Sequence, residues 1–148
     1  MALLQKSATM FSHRLPKVIG PGAHTFIDYA MAGMFFAAGI LFWRRHKSAA
    51  LSALLCGSGT LLNGLFTDYP GGVVRAISFD THARIDAGLA GLAAMVPELM
   101  GFKKDEQARF FTGTAIAGTL AAGFTGYHGE TEDWSAEGEE SREQRKAA

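Results

Sequence analysis

The sequence predicts an all-α protein: an integral membrane four-helix bundle of two tandem helical hairpins related by a pseudo-twofold axis. Three observations lead there. First, four apolar segments of bilayer length alternate with short polar turns in a chain of 148 residues. A helix that crosses the hydrocarbon core needs about 20 mostly apolar residues. Second, the chain repeats itself at an offset of 58, with His24-Thr-Phe-Ile-Asp28 returning as His82-Ala-Arg-Ile-Asp86. Phe66-Thr67-Asp68-Tyr69-Pro70-Gly71 returns in the same register as Phe124-Thr125-Gly126-Tyr127-His128-Gly129. Third, the repeat spans about fifty residues, a period typical of repeat architecture, which sets two units at 24–72 and 82–130.

The elements follow in order. Residues 1–22 form an N-terminal segment without the long apolar core of a cleavable signal. Leu3, Leu4, Met10 and Phe11 give it the composition of a short interfacial helix. Pro16 and Gly20-Pro21-Gly22 break the chain before the first span. Helix one is expected over Ala23–Trp43, interrupted only by His24 and Asp28, and ends in the basic turn Arg44-Arg45-His46-Lys47. Helix two is expected over Ser48–Phe66, with no charge. The Tyr69-Pro70-Gly71-Gly72 turn signal leads through apolar Val73–Phe79 to helix three, His82–Gly101, with Pro97 as a point of kinking. Lys103-Lys104-Asp105-Glu106 turns the chain into helix four, Arg109–Tyr127. Residues 23–127 therefore make the four-span domain. Residues 129–148, where acidic residues outnumber basic ones seven to three, read as a solvated, disordered tail.

Soluble helices of this length normally carry a polar stripe; Ser48–Phe66 and Phe110–Tyr127 have no charged one, which favours the membrane over a soluble bundle although mean hydropathy is only weakly positive. Small residues at four-residue spacing, Ala49, Ala53 and Gly57, then Gly118 and Ala122, suit close helix packing in lipid. The basic hairpin tips favour a cytoplasmic position for them. Cys56 is alone in an apolar helix and reads as a packing residue. No nucleophile elbow, phosphate loop, dinucleotide fingerprint or nucleic-acid signature is present, and no catalytic set is identified.

The chemistry-bearing residues recur with the repeat. Both His-x-x-x-Asp pairs open helices, both Phe-Thr-x-Tyr motifs close them, and an even number of spans per repeat puts all four at one membrane face. His24 and Asp28, like His82 and Asp86, share a helix face at spacing i, i+4. A carboxylate one turn inside a membrane helix is costly unless paired, and marks a functional site by default. His24, Asp28, His82 and Asp86 are thus candidate ligands for a divalent metal such as zinc. A supporting polar cap is expected from Thr67, Asp68, Tyr69, Thr125, Tyr127 and His128. The rival readings are a haem b held by the two histidines and a hydrogen-bonded cap that binds nothing.

Two resemblances add to this. The paired His-x-x-x-Asp motifs on two helices are similar to the transport site of cation diffusion facilitators, which have six spans. Thr67-Asp68-Tyr69, Gly72-Val73-Val74-Arg75-Ala76-Ile77, His82, Asp86 and Pro97-Glu98-Leu99-Met100-Gly101-Phe102 resemble small bacterial membrane proteins of the SPW-repeat type. The segment that names that family stands here as Val96-Pro97-Glu98. The resemblance covers about Pro16 to Tyr127. It implies a multi-pass protein of the bacterial inner membrane with no established activity. The leading expectation is accordingly a non-enzymatic structural or accessory component, partnered by membrane lipid and by other membrane subunits or further copies of itself. The alternative is a divalent-metal-binding or transport protein.

Overall fold

The computed structural model describes residues 17–126. The expected interfacial helix within residues 1–16, the acidic tail, Tyr127 and His128 lie outside the described residues. The described chain is all-helical, with four helices: α1 (Pro21–Phe42), α2 (Lys47–Leu65), α3 (Phe79–Leu99) and α4 (Gln107–Phe124).

Each boundary departs from expectation by at most three residues, for local reasons. α1 begins on Pro21, whose missing N–H costs nothing in the first turn. α3 begins at Phe79 rather than His82 because Ser78 caps it, its hydroxyl accepting from the Thr81 N–H at 3.2 Å. Asp80 adds a favourable charge to that first turn. α3 ends at Leu99, where Gly101 adopts φ +75° and Phe102 N–H donates back to Pro97 O at 2.9 Å. α4 stops at Phe124 because Thr125 is extended.

That extended residue belongs to a crossed arrangement of the two repeats. Ile19 bridges Thr125, and Ile77 bridges Thr67. Val18 and Ile19 donate to Phe124 O at 3.0 and 3.1 Å; Ala76 and Ile77 donate to Phe66 O at 3.1 and 3.0 Å. Gly126 donates to Ile19 O, and Asp68 to Ile77 O. Every partner is offset by 58, so the duplication extends upstream to Val18 and Ala76. Each odd helix is entered from a segment tied to the end of an even helix, in the second case within one hairpin linker and in the first across the whole chain.

The interior is narrow. Ala49 and Ala53 are fully buried, and Gly57 meets α1 at Ala32 and Phe35. At the hairpin-tip end, Phe35, Phe42, Phe102, Phe110 and Phe111 form an aromatic cluster with edge and tilted ring contacts. At the other end most buried residues are polar, among them His24, Thr25, Asp28, Asn63, Thr67, His82 and Thr125, with Phe79 buried beside them. Large apolar side chains point outward instead, among them Phe26, Ile40, Leu41, Leu55, Leu99 and Ile116. α1 and α2 are long and apolar enough to cross a membrane, and only 33% and 50% of their apolar windows are buried. α3, with Asp80, Arg84, Asp86 and Glu98, and α4 do not meet that criterion.

The tight seam between α1 and α2 makes a testable contrast. A Cβ at Gly57 would lie 2.9 Å from Phe35 Cβ and 3.3 Å from Ala32 O, atoms fixed to the backbone of α1. Gly57→Ala should therefore destabilise the protein by about 1–3 kcal/mol. Gly113→Ala meets nothing within 4 Å and should be neutral or stabilising by up to ~1 kcal/mol. Reversible unfolding measures both.

Candidate metal centre

His24 lies in the first turn of α1 and Asp28 one turn on; His82 and Asp86 hold the same places on α3. The crossed entry segments bring these two helix starts together. His24 Nε2 lies 3.3 Å from His82 Nε2, 3.2 Å from Asp86 Oδ2 and 3.5 Å from Asp28 Oδ1. His82 Nε2 lies 3.2 Å from Asp28 Oδ2 and 3.0 Å from Asp86 Oδ2. One ligand atom from each of the four residues lies within 4.8 Å of all the others. Both imidazoles are buried, as is Asp28, while Asp86 is partly exposed.

The ring orientations follow from two threonines. The Thr67 hydroxyl donates to Asn63 O at 2.5 Å, and the Thr125 hydroxyl to Ala121 O at 2.7 Å. With its one proton committed, each oxygen can only accept from the facing imidazole. Thr67 Oγ1 thus takes the Nδ1–H of His82 at 2.9 Å, and Thr125 Oγ1 that of His24 at 2.8 Å. The proton assignment is inferred from this network. It fixes Nδ1 as the donor and turns both Nε2 atoms to the common centre, which is how an outer partner sets the tautomer of a ligating histidine.

The carboxylates are held as well. Tyr69 donates to Asp28 Oδ2 at 3.0 Å, and Asn63 Nδ2 donates to Asp86 Oδ1 at 2.8 Å. Burial, and the Asp28 carboxylate at its hydroxyl, push the Tyr69 phenol well above its ordinary range, so it remains a donor. Phe79 lays its ring against both His24 and His82, at centroid distances of 5.6 and 5.8 Å.

Of the residues expected from sequence, the structure brings His24, Asp28, His82 and Asp86 together, with Tyr69 on a carboxylate. Thr67 and Thr125 bond to the histidines, while the aspartates take Tyr69 and the neighbouring histidines, contacts that a hydrogen-bonded cap also calls for. Asp68 is not in the cap. Its backbone is tied to Ile77, and its exposed carboxylate pairs with Arg75 at 3.3 Å. Asn63 and Phe79 were not anticipated. A signal existed for Asn63, a single amide in an uncharged apolar helix four residues before Thr67. Phe79 gave none, since its repeat counterpart is Pro21.

The arrangement suits one small cation. The nitrogen–nitrogen and nitrogen–oxygen separations run from 3.0 to 3.5 Å, with Asp28 turning a different oxygen to each histidine; ligands about 2.0–2.1 Å from a tetrahedral zinc lie roughly 3.3 Å from one another, and with one atom from each residue the set lies within 4.8 Å. Two neutral imidazoles and two carboxylates also match a divalent charge, which matters where charges are out of water. A haem does not fit. Its axial histidines must stand on opposite faces of a flat macrocycle, and here one carboxylate oxygen lies within 3.2 Å of both Nε2 atoms. Comparison with known proteins gives no match: no family model, curated relative or solved structure matches this chain.

The threonine relay is open to test. Thr67→Val or Thr125→Val leaves a buried Nδ1–H without an acceptor and should cost about 1–3 kcal/mol each, whereas Thr67→Ser should cost little. Unfolding of the single variants checks this.

Proposed function

We propose that this chain is a four-span membrane protein that binds one divalent ion of the zinc type through His24, Asp28, His82 and Asp86. The observation that carries this reading is the convergence of two buried imidazoles with the buried Asp28 and partly exposed Asp86 carboxylates, one ligand atom from each lying within 4.8 Å of all the others. A second feature supports it. Two Nε2 atoms facing each other at 3.3 Å present like ends when both are protonated or both are not, and a cation between them removes that conflict. Every ligand also has an outer partner, in Thr125, Thr67, Tyr69 or Asn63, the organisation that tunes metal sites.

The membrane part rests on an inverted distribution of polarity. The polar side chains named above are inside, while α3 and α4 expose Ile85, Leu92, Met95, Leu99, Ile116 and Leu120. Between Arg84 and Glu98 the only charged residue on α3 is Asp86, which faces the centre. Glu98 pairs with Lys103 at the hairpin tip. An exposed apolar surface of this extent fits lipid. With the basic tips Arg44, Arg45, Lys47, Lys103 and Lys104 on the cytoplasmic side, the centre lies close to the outer face. The accessory role expected from sequence has no geometric feature of its own to support it, and the metal-binding alternative takes its place as the preferred reading.

Two measurements test this. The chain should stay in the membrane pellet through an alkaline carbonate wash; release into the supernatant would count against membrane spans. Purified in detergent and exposed to excess zinc, then desalted, it should retain one zinc per chain. His24→Ala and His82→Ala should each weaken binding by more than about 100-fold, a larger loss than removal of an outer partner brings. Because the ligands bind only when deprotonated, affinity should be higher at pH 8 than at pH 5.5. Wild-type protein that holds no zinc, or variants that hold it as well as the wild type, would contradict the proposal.

A further inference from the structure

The two hairpin tips have diverged in charge. The first, Arg44-Arg45-His46-Lys47, carries three fixed cations and no carboxylate. Among the described residues none of these three cations forms a salt bridge, and the Lys47 ammonium lies 4.1 Å from the centre of the Trp43 ring. The second tip, Lys103-Lys104-Asp105-Glu106, sets two carboxylates against two cations. There Lys103 pairs with Glu98, and Asp105 accepts from His46 Nε2 at 2.9 Å. The fixed cations of the first tip are thus left without a counter-charge.

Beside them an open groove runs along the seam of α1 and α2, lined by Gly39, Ile40, Trp43 and Arg44 of α1 and Leu54 of α2. Gly39 is buried beneath the Leu54 side chain, where a Cβ would stand 2.6 Å from it. Polarity changes along the groove in one direction. Gly39, Ile40 and Leu54 make its inner part apolar, Trp43 follows, and Arg44 stands at the end. An indole at that place suits the boundary between hydrocarbon and headgroups. The second hairpin has no such groove residues: Ile40, Trp43 and Arg44 stand where that copy has Glu98, Gly101 and Phe102.

We propose that this groove holds an anionic phospholipid, its acyl chain along Ile40 and Leu54 and its phosphate at Arg44. The proposal rests on the membrane reading above and is independent of the metal. Clustered Lys and Arg beside a span attract anionic lipid in proportion to their number. A guanidinium also matches a phosphate with two parallel N–H donors. Unpaired cations at the end of an apolar slot fit a molecule that is anionic at one end and apolar along its length. An acidic soluble partner would meet the cations and leave Ile40, 73% exposed, uncovered. A second copy docked side by side would cover Ile40 and set its own three cations against these.

Native mass spectrometry of the full chain, released from detergent with phosphatidylglycerol or with phosphatidylcholine of the same acyl chains, tests this. Wild type should retain phosphatidylglycerol in preference. Arg44→Gln should lower that retention roughly fivefold, the effect of one cation at an anionic headgroup. Ile40→Trp, which crowds the apolar wall and keeps every charge, should lower it as well. Lys103→Gln with Lys104→Gln, at the other tip, should leave it unchanged, and millimolar inorganic phosphate should not displace the lipid. Equal retention of the two lipids, equal loss from either tip, retention unaltered in Ile40→Trp, or displacement by phosphate would each overturn the proposal. So would a dimer without lipid preference that Ile40→Trp dissociates, which gives the groove to a second copy. Release of the chain from membranes by the carbonate wash would instead refute the membrane reading beneath it.

Discussion

Two carboxylates and two imidazoles meet in a space a few ångströms across, and their charges must balance because three of the four are buried. The surrounding structure follows from that constraint. Carboxylates out of water need compensating positive charge and donors on their remaining lone pairs. Here Tyr69 and Asn63 supply the donors, and the Thr67 and Thr125 hydroxyls orient the imidazoles. The helix starts and ends are placed so that these four outer residues arrive at one point.

Duplication accounts for how a short chain achieves this. A single hairpin carries a histidine and an aspartate at its entrance and a threonine at its exit. His24 reaches the threonine of the second repeat, Thr125, and His82 that of the first, Thr67. Each repeat therefore orients the histidine of the other, and neither hairpin alone would orient its own. The two halves have since diverged: Asn63 of the first copy stands where the second has Ala121, so Asp86 takes an amide and Asp28 a phenol as its outer donor.

Much of this was legible in the sequence because the informative residues recur. The i, i+4 spacing put His24 with Asp28 and His82 with Asp86 on one helix face, and the common offset placed both pairs at one end of the bundle. Helix limits came within three residues because apolar length dominates them. What was missed depends on contacts that no spacing encodes. The start of α3 was set by the Ser78 cap rather than by the repeat. Asp68 looked like a cap residue from its place in the motif, yet its backbone pairing with Ile77 turns its carboxylate to Arg75. Asn63 breaks the repeat, so a search for recurring residues passes over it, although a buried amide in an apolar helix is a signal in its own right. The membrane character of α3 and α4 was read from length and tolerance of charge. In the fold only α1 and α2 meet the apolar criterion, because α3 carries the site's own Asp86 together with charges at its ends.

The central claim is that this ligand set, and no other, surrounds the ion. Cys56 lines the same cavity as His24 and both aspartates, so a sulfur ligand is the nearest rival within the bundle. X-ray absorption at the zinc edge of the loaded, full-length protein decides between them. The structure calls for four nitrogen or oxygen neighbours at about 2.0 Å, with outer scattering from two imidazole rings and no sulfur. A neighbour at about 2.3 Å, or a shell of six oxygens without imidazole scattering, would contradict it.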